Sequence, residues 1–267
     1  MDLTDAYENG AYIEGAAEYP ARWAKAAARY RAQLAELGLA RLDLSYGAGE
    51  REKLDLFLPG ESHDGPPKGL VVFVHGGYWR RFDRKDWSDL AEGARARGWA
   101  VAMPSYDLCP AVRISEITRQ VAAAVCFAAR EVDGPIRLAG HSAGGHLVAR
   151  IAVPGVLPEA VEARVVDVMP ISPLSDLRPL MQTAMNADLR LDMAEAEAES
   201  PILLPAPRAK VSVWVGGSER PAFIDQANWL HDAWGAHVTI VPGHHHFNVI
   251  EPLGEPYSAI VETLLGL

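Results

Sequence analysis

Three short stretches of the 267-residue chain hold residue types that do chemistry together. The first is Gly140-His141-Ser142-Ala143-Gly144, a G-x-S-x-G pattern. That pattern presents a serine hydroxyl on a tight turn between a strand and a helix. Glycine is needed on both flanks because side chains there would clash across the turn. Ser142 is therefore the candidate nucleophile. The helix behind it would aim backbone N–H groups at developing negative charge. The second stretch is His75-Gly76-Gly77-Tyr78-Trp79. Two adjacent glycines let the backbone approach a substrate, so Gly76 and Gly77, with Ala143, are candidate oxyanion donors. Tyr78 and Trp79 are candidate walls of a substrate pocket, with core packing as the alternative for Trp79, and His75 is expected to be a structural hydrogen-bonding group.

The third stretch supplies a base. A serine hydroxyl is a poor nucleophile until a histidine takes its proton. His244, His245 and His246 follow one another after the last apolar segment. Asn248 and Glu251 have N-cap spacing, which would put His246 just ahead of a helix start and favours it over His245. Adjacent histidines can also bind metal. Neighbours in sequence rarely converge on one ion, however, and no second ligand cluster accompanies them, so neither metal nor cofactor is expected. In this chain order an acid should lie between the serine and the histidine. Glu219, in Gly216-Gly217-Ser218-Glu219, is the favoured acid, with Asp225 and Asp176 as alternatives.

These stretches need a frame. Leu70–Val74 is a continuous apolar run, suited to a strand buried on both faces of a parallel sheet. Strands are also expected at Leu42–Tyr46, Lys53–Leu58, Ala100–Met103, Ile136–Ala139, Val165–Ile171, Lys210–Val215 and His237–Val241. Helices are expected at Ala21–Leu37, Lys85–Arg97, Ile114–Val132, Ala143–Ala152, Pro221–Trp234 and Pro256–Leu265. The alternation argues for a mostly parallel sheet covered on both faces, as one α/β domain over residues 1–267. Residues 1–40 read as an N-terminal helical segment, and Pro59–Lys68 as a polar loop. Ser172–Pro207 is too long for an ordinary crossover. It reads as a cap inserted over the carboxyl edge of the sheet, offering apolar residues such as Leu180, Met181 and Met185.

Composition narrows the partners. With 25 Lys+Arg against 35 Asp+Glu the net charge is −10, which opposes binding to nucleic acid. The chain is 49% hydrophobic and 22% charged, enough apolar material for a core, so disorder of the whole chain is excluded. No apolar run reaches the roughly 18 residues of a membrane span. The acidic start Met1–Asp5 lacks the character of a signal peptide, and Cys109 and Cys126 make no disulfide framework. The expected setting is the cytoplasm and the expected partner a small-molecule substrate, with a homodimer as the candidate assembly.

At the level of motifs the chain resembles a known family. H-G-G-Y-W at 75–79, G-H-S-A-G at 140–144, G-S-E-R-P-A-F at 217–223 and H-F-N-V-I-E at 246–251 resemble the α/β-hydrolases of the kynurenine formamidase (arylformamidase) group. Y-G-A-G-E-R-E-K-L-D-L-F at 46–57 and Y-D-L-C-P at 106–110 are also similar. The resemblance implies the α/β-hydrolase fold. It also implies Ser142, Glu219 and His246 as a catalytic triad, and Gly76, Gly77 and Ala143 as oxyanion donors. Tyr78, Trp79 and Phe247 would contact substrate. Better-known members carry Asp where this chain has Glu219. The activity implied is hydrolysis of a formyl or acetyl amide or ester of an aromatic leaving group through an acyl-enzyme. A general short-chain carboxylesterase is the alternative, and a non-catalytic ligand-binding protein on the same scaffold a third reading.

Overall fold

The apolar runs become the strands of one sheet. In the computed structural model, which describes residues 2–60, 63 and 65–267, eight strands are present among the described residues. They are β1 (Ala40–Ser45), β2 (Lys53–Phe57), β3 (Leu70–Val74), β4 (Ala100–Pro104), β5 (Ile136–His141), β6 (Val165–Ile171), β7 (Lys210–Gly216) and β8 (His237–Val241). Their order across the sheet is β1-β2-β4-β3-β5-β6-β7-β8. β2 runs antiparallel to β1 and β4, and every other pair is parallel. The central strands β3 and β4 are buried at every position, as continuous apolar runs in a two-sided parallel sheet should be. Of the polar loop expected at Pro59–Lys68, Glu61, Ser62 and Asp64 lie outside the described residues.

Side chains of alternating direction feed two layers. Leu70, Val72 and Val74 point to one face and join a core with helices α2 (Ile114–Glu131) and α3 (Ala143–Ala152). Val71 and Phe73 point to the other and pack with α1 (Tyr19–Glu36) and α5 (Ala259–Leu265). Helix α4 (Pro221–Trp234) covers β7 through Ala227 and Leu230. Burying each such aliphatic side chain contributes about 1.5–3 kcal/mol before entropy is counted. Because the parallel strands share one direction, the loops leaving β3, β5, β7 and β8 all emerge at one edge. That edge is where ligands bind in open α/β sheets.

Three expectations change. The helix expected at Lys85–Arg97 breaks into turns at Arg84–Asp86 and Ser88–Ala91 before a short helix at Glu92–Ala96. Asp83 and Asp86 form a capping box around the first turn, and Trp87, at φ −137° and ψ 23°, ends it. No α-helix follows His246 directly. Asn248 instead accepts the His245 N–H at 2.8 Å, and a 3-10 turn comes at Glu251–Gly254. Residues 172–207 pack against α2 and α3. Leu180 is fully buried in that core, with Met181 and Met185 against it. Glu195 bonds Ser115 Oγ at 2.9 Å, and Glu199 bonds Thr118 Oγ1 at 2.6 Å.

Candidate active site

Ser142 stands between β5 and α3 with φ +57° and ψ −117°, the left-handed side of backbone space that a non-glycine residue rarely occupies. The neighbouring chain enforces the turn. A Cβ on Gly144 would run into the Val74 carbonyl, and one on Gly140 into the Gly144 carbonyl. The Ser142 N–H donates to the Ile171 carbonyl at 2.8 Å, tying the turn to β6. The Ser142 hydroxyl has no hydrogen-bond partner among the described residues and faces a cavity of about 450 Å³. His246 lines the same cavity.

The acid and the histidine meet through two stitched loops. Gly217 N–H donates to the Val241 carbonyl at 2.8 Å, and Ser218 N–H to the His244 carbonyl at 2.9 Å. This brings the loop after β7 against the loop after β8. Glu219 Oε2 then accepts from His246 Nδ1 at 2.6 Å. The other carboxylate oxygen accepts from the Gly216 N–H at 2.8 Å and the Ser172 hydroxyl at 2.5 Å. Both side chains are almost wholly buried. The His246 ring lies 4.6 Å from the His141 ring and 4.4 Å from Phe223. With Nδ1 held as a donor, Nε2 is left to accept a proton. The alternative acids lie elsewhere. Asp225 is exposed, and Asp176 is paired with Arg178 at 2.8 Å.

The other two histidines point away from this pair. His245 Nε2 meets the Tyr19 hydroxyl at 3.1 Å, and His244 Nδ1 meets the Pro242 carbonyl at 3.1 Å.

The Gly76-Gly77 loop passes directly beside the serine. A Cβ on Gly76 would stand 3.1 Å from Ser142 Cβ and 2.8 Å from the His141 carbonyl. The backbone N–H groups of Gly76, Gly77 and Ala143 have no acceptor among the described residues. His75 fixes one of these peptides. Its Nδ1 donates to the Gly76 carbonyl at 2.8 Å while its ring stacks on Tyr106 at 4.3 Å. Burial pushes the His75 pKa down to about 4, so the ring is neutral at physiological pH. Its structural assignment from the sequence matches this placement. The arrangement can hold a tetrahedral oxyanion while a proton passes from serine to histidine.

Aromatic side chains wall the cavity: Trp23, Tyr78, Phe82, Trp87 and Phe247 all line it. Trp79 does not. It is wholly buried, its ring against His146 at 5.1 Å. Positive φ values at Tyr78 and Trp79 turn the chain, so neighbours in sequence face different spaces. The cover also differs from expectation. Glu8, Gly10, Ala16, Ala17 and Pro20 line the cavity, and no residue of 172–207 does. The N-terminal strap is tied at several points. Tyr78 Oη receives the Asn9 side-chain amide at 3.0 Å and donates to the Tyr7 carbonyl. The Tyr7 hydroxyl receives Gln226 Nε2 at 3.0 Å, and Arg220 pairs with Asp5 at 2.7 Å. Trp23 sits in the first turns of an expected helix but carries no local signal of its role. A larger depression of about 660 Å³, near Glu159, Glu162, Arg208 and Lys210, is lined by no serine, histidine or cysteine.

A family model described as alpha/beta hydrolase fold matches residues 71–211. The kynurenine formamidase of Salmo salar is 31% identical over 249 residues, covering 86% of this chain and 83% of that protein. A Silicibacter sp. TM1040 crystal structure, provisionally described as a thioesterase, superposes with a TM-score of 0.95 at 61% identity, over 99% of each chain. Esterase B of Lactobacillus rhamnosis has a TM-score of 0.68 at 22% identity, over 94% of this chain and 93% of its own, which is a likeness of fold. No helix among the described residues is long and apolar enough to cross a membrane. The chain is a hydrolase that belongs to the kynurenine formamidase group of the α/β-hydrolase family.

Proposed function

We propose that the protein is a serine hydrolase that removes a formyl or acetyl group from an aromatic amine or alcohol through an acyl-enzyme on Ser142. The observation that carries this reading is the His246–Glu219 pair at 2.6 Å, whose histidine lines, with Ser142, one cavity walled by aromatic rings. His246 Nε2 takes the proton of the Ser142 hydroxyl as Oγ attacks the acyl carbon. The N–H groups of Gly76, Gly77 and Ala143 receive the negative charge on the acyl oxygen. His246 then returns the proton to the departing nitrogen or oxygen. Water, deprotonated by the same ring, releases the carboxylic acid and restores Ser142. Glu219 keeps the proton on Nδ1 and stabilises the imidazolium as it forms. A cavity of about 450 Å³ suits a one- or two-ring leaving group bearing a short acyl chain.

The Silicibacter relative, described as a thioesterase, favours a second reading, hydrolysis of acyl thioesters. The test is kcat/KM for N-formylkynurenine, for aryl esters from acetyl to decanoyl, and for short acyl thioesters. A preference for N-formylkynurenine or aryl acetates supports the proposal. A thioester maximum overturns it in favour of the second reading, and an ester maximum at eight or more carbons overturns it in favour of a long-chain esterase. Cys109, buried, and Cys126, half-buried, are both free thiols, in keeping with the cytoplasmic setting that we also propose.

A further inference from the structure

The charged groups on the cavity wall are not all paired. Arg80 lines the cavity and pairs with Asp188 at 2.6 Å. Glu8 lines it too, and one of its carboxylate oxygens accepts the Gly10 N–H at 3.0 Å. Arg81 lines the same cavity and is exposed, and its side chain has neither an ion-pair nor a hydrogen-bond partner among the described residues. Glu8 stands on the same wall without pairing with it. The Arg81 backbone is nevertheless held close to the reaction centre. Its N–H donates to the Gly77 carbonyl at 3.1 Å, and a Cβ on Gly77, at φ +109°, would meet the Arg81 carbonyl at 2.5 Å. One turn of chain thus fixes both a candidate oxyanion glycine and the backbone of Arg81, whose guanidinium carries five donors without a partner among the described residues.

We infer that Arg81 is a specificity-determining residue, which recognises a carboxylate on the leaving-group side of an aromatic substrate. This rests on the serine-hydrolase reading of the same cavity. The aromatic rings of Trp23 and Trp87 take the flat part of the substrate, the acyl carbon lies at Ser142, and the far end carries the anion to Arg81. The protein's net charge of −10 repels anions at long range, so an unpaired cation at the cavity is where an anionic substrate gains local attraction. Planar guanidinium and carboxylate match each other in a two-point contact.

The test uses 4-acetoxyphenylacetate and its methyl ester, which share acyl group and ring and differ in charge. The measured quantity is the ratio of their kcat/KM values, anionic over neutral. Arg81→Gln lowers this ratio about tenfold or more, Arg81→Glu lowers it further, and Arg81→Lys restores part of it. In the wild type the ratio shrinks as salt is raised from low to physiological strength. A ratio unchanged within twofold in Arg81→Gln and Arg81→Glu overturns the inference. Binding is read separately from turnover in Ser142→Ala protein, by quenching of the intrinsic tryptophan fluorescence, to which Trp23 and Trp87 at the cavity contribute. There the anionic compound binds more tightly than its methyl ester, and Arg81→Gln erases the difference. Equal affinities for the two compounds overturn the inference even if neither ester is ever hydrolysed. Failure of the wild type to hydrolyse these esters, N-formylkynurenine or short acyl thioesters, with the difference in affinity intact, overturns the serine-hydrolase reading alone.

Discussion

Replacing Glu219 by glutamine keeps volume and removes charge, and the hydrogen bonds around the residue leave the amide no acceptable orientation. If its NH2 takes the place of Oε2, it faces His246 Nδ1 at the 2.6 Å contact and forces that nitrogen to accept. The proton then moves to Nε2, the wrong tautomer for taking a proton from Ser142. If the amide is flipped, its NH2 opposes the Gly216 N–H across a 2.8 Å contact, donor against donor. Only the Ser172 hydroxyl, 2.5 Å away, can rotate to accept. Either orientation also removes the negative charge that stabilises the imidazolium in a buried site. Loss of a triad carboxylate with geometry preserved costs on the order of 10⁴-fold in kcat. Glu219→Asp keeps the charge but withdraws the carboxylate by about one methylene. It must then give up either His246 or the Gly216–Ser172 pair, for about a 100-fold loss. The assay is kcat for an aryl acetate, with Tm measured alongside. A glutamine variant that keeps more than a tenth of wild-type kcat while melting normally would refute this reasoning, as would a larger loss in Asp225→Asn.

Two further outcomes concern stability. Burial pushes His75 down to about 4 and His146 to about 3, while the unfolded chain takes up those protons near pH 6.5. Between these values the unfolded state binds more protons, so stability is lost as pH falls from about 6.5 towards 4. Asp167, pushed up to about 6 by burial, works in the opposite sense below that pH. Tm is expected to drop by several degrees from pH 7 to 4.5, and less in His146→Gln; a flat profile would contradict the linkage. Asp55, fully buried in β2, accepts Arg84 Nε at 3.1 Å and also pairs with Arg31. Asp55→Ala removes the fully buried carboxylate the two arginines share, leaving Arg84 to Asp43 and Asp83 and Arg31 to Asp43, and should cost about 3–5 kcal/mol, read from the urea midpoint; a loss under 1 kcal/mol would show the Asp55 contacts to be dispensable.

What the sequence made legible was local. Leu70–Val74 and Ala143–Ala152 have the bounds their patterns indicate, because an unbroken apolar run and a G-x-S-x-G turn each specify their own geometry. Glu219 and His246 were readable as the ends of two strand-to-loop transitions, although the link between them depends on backbone bonds from Gly217 and Ser218. The cover of the cavity was not readable. Residues 5–18 form three short 3-10 turns with no helical or strand period, and they are held by Tyr78, Arg220 and Gln226 from far along the chain. Trp79 was misplaced for a related reason: two residues of positive φ separate what adjacency suggested would stay together.

The most direct test of the serine mechanism is intact-protein mass spectrometry of the enzyme quenched during turnover of 4-nitrophenyl acetate. The expected result is one acetyl group per chain, located on Ser142 by peptide mapping and absent from Ser142→Ala, which folds with unchanged Tm and loses at least 10⁴-fold in kcat. An acetyl group on a different residue during turnover, or an alanine variant retaining more than a tenth of the activity, would contradict it.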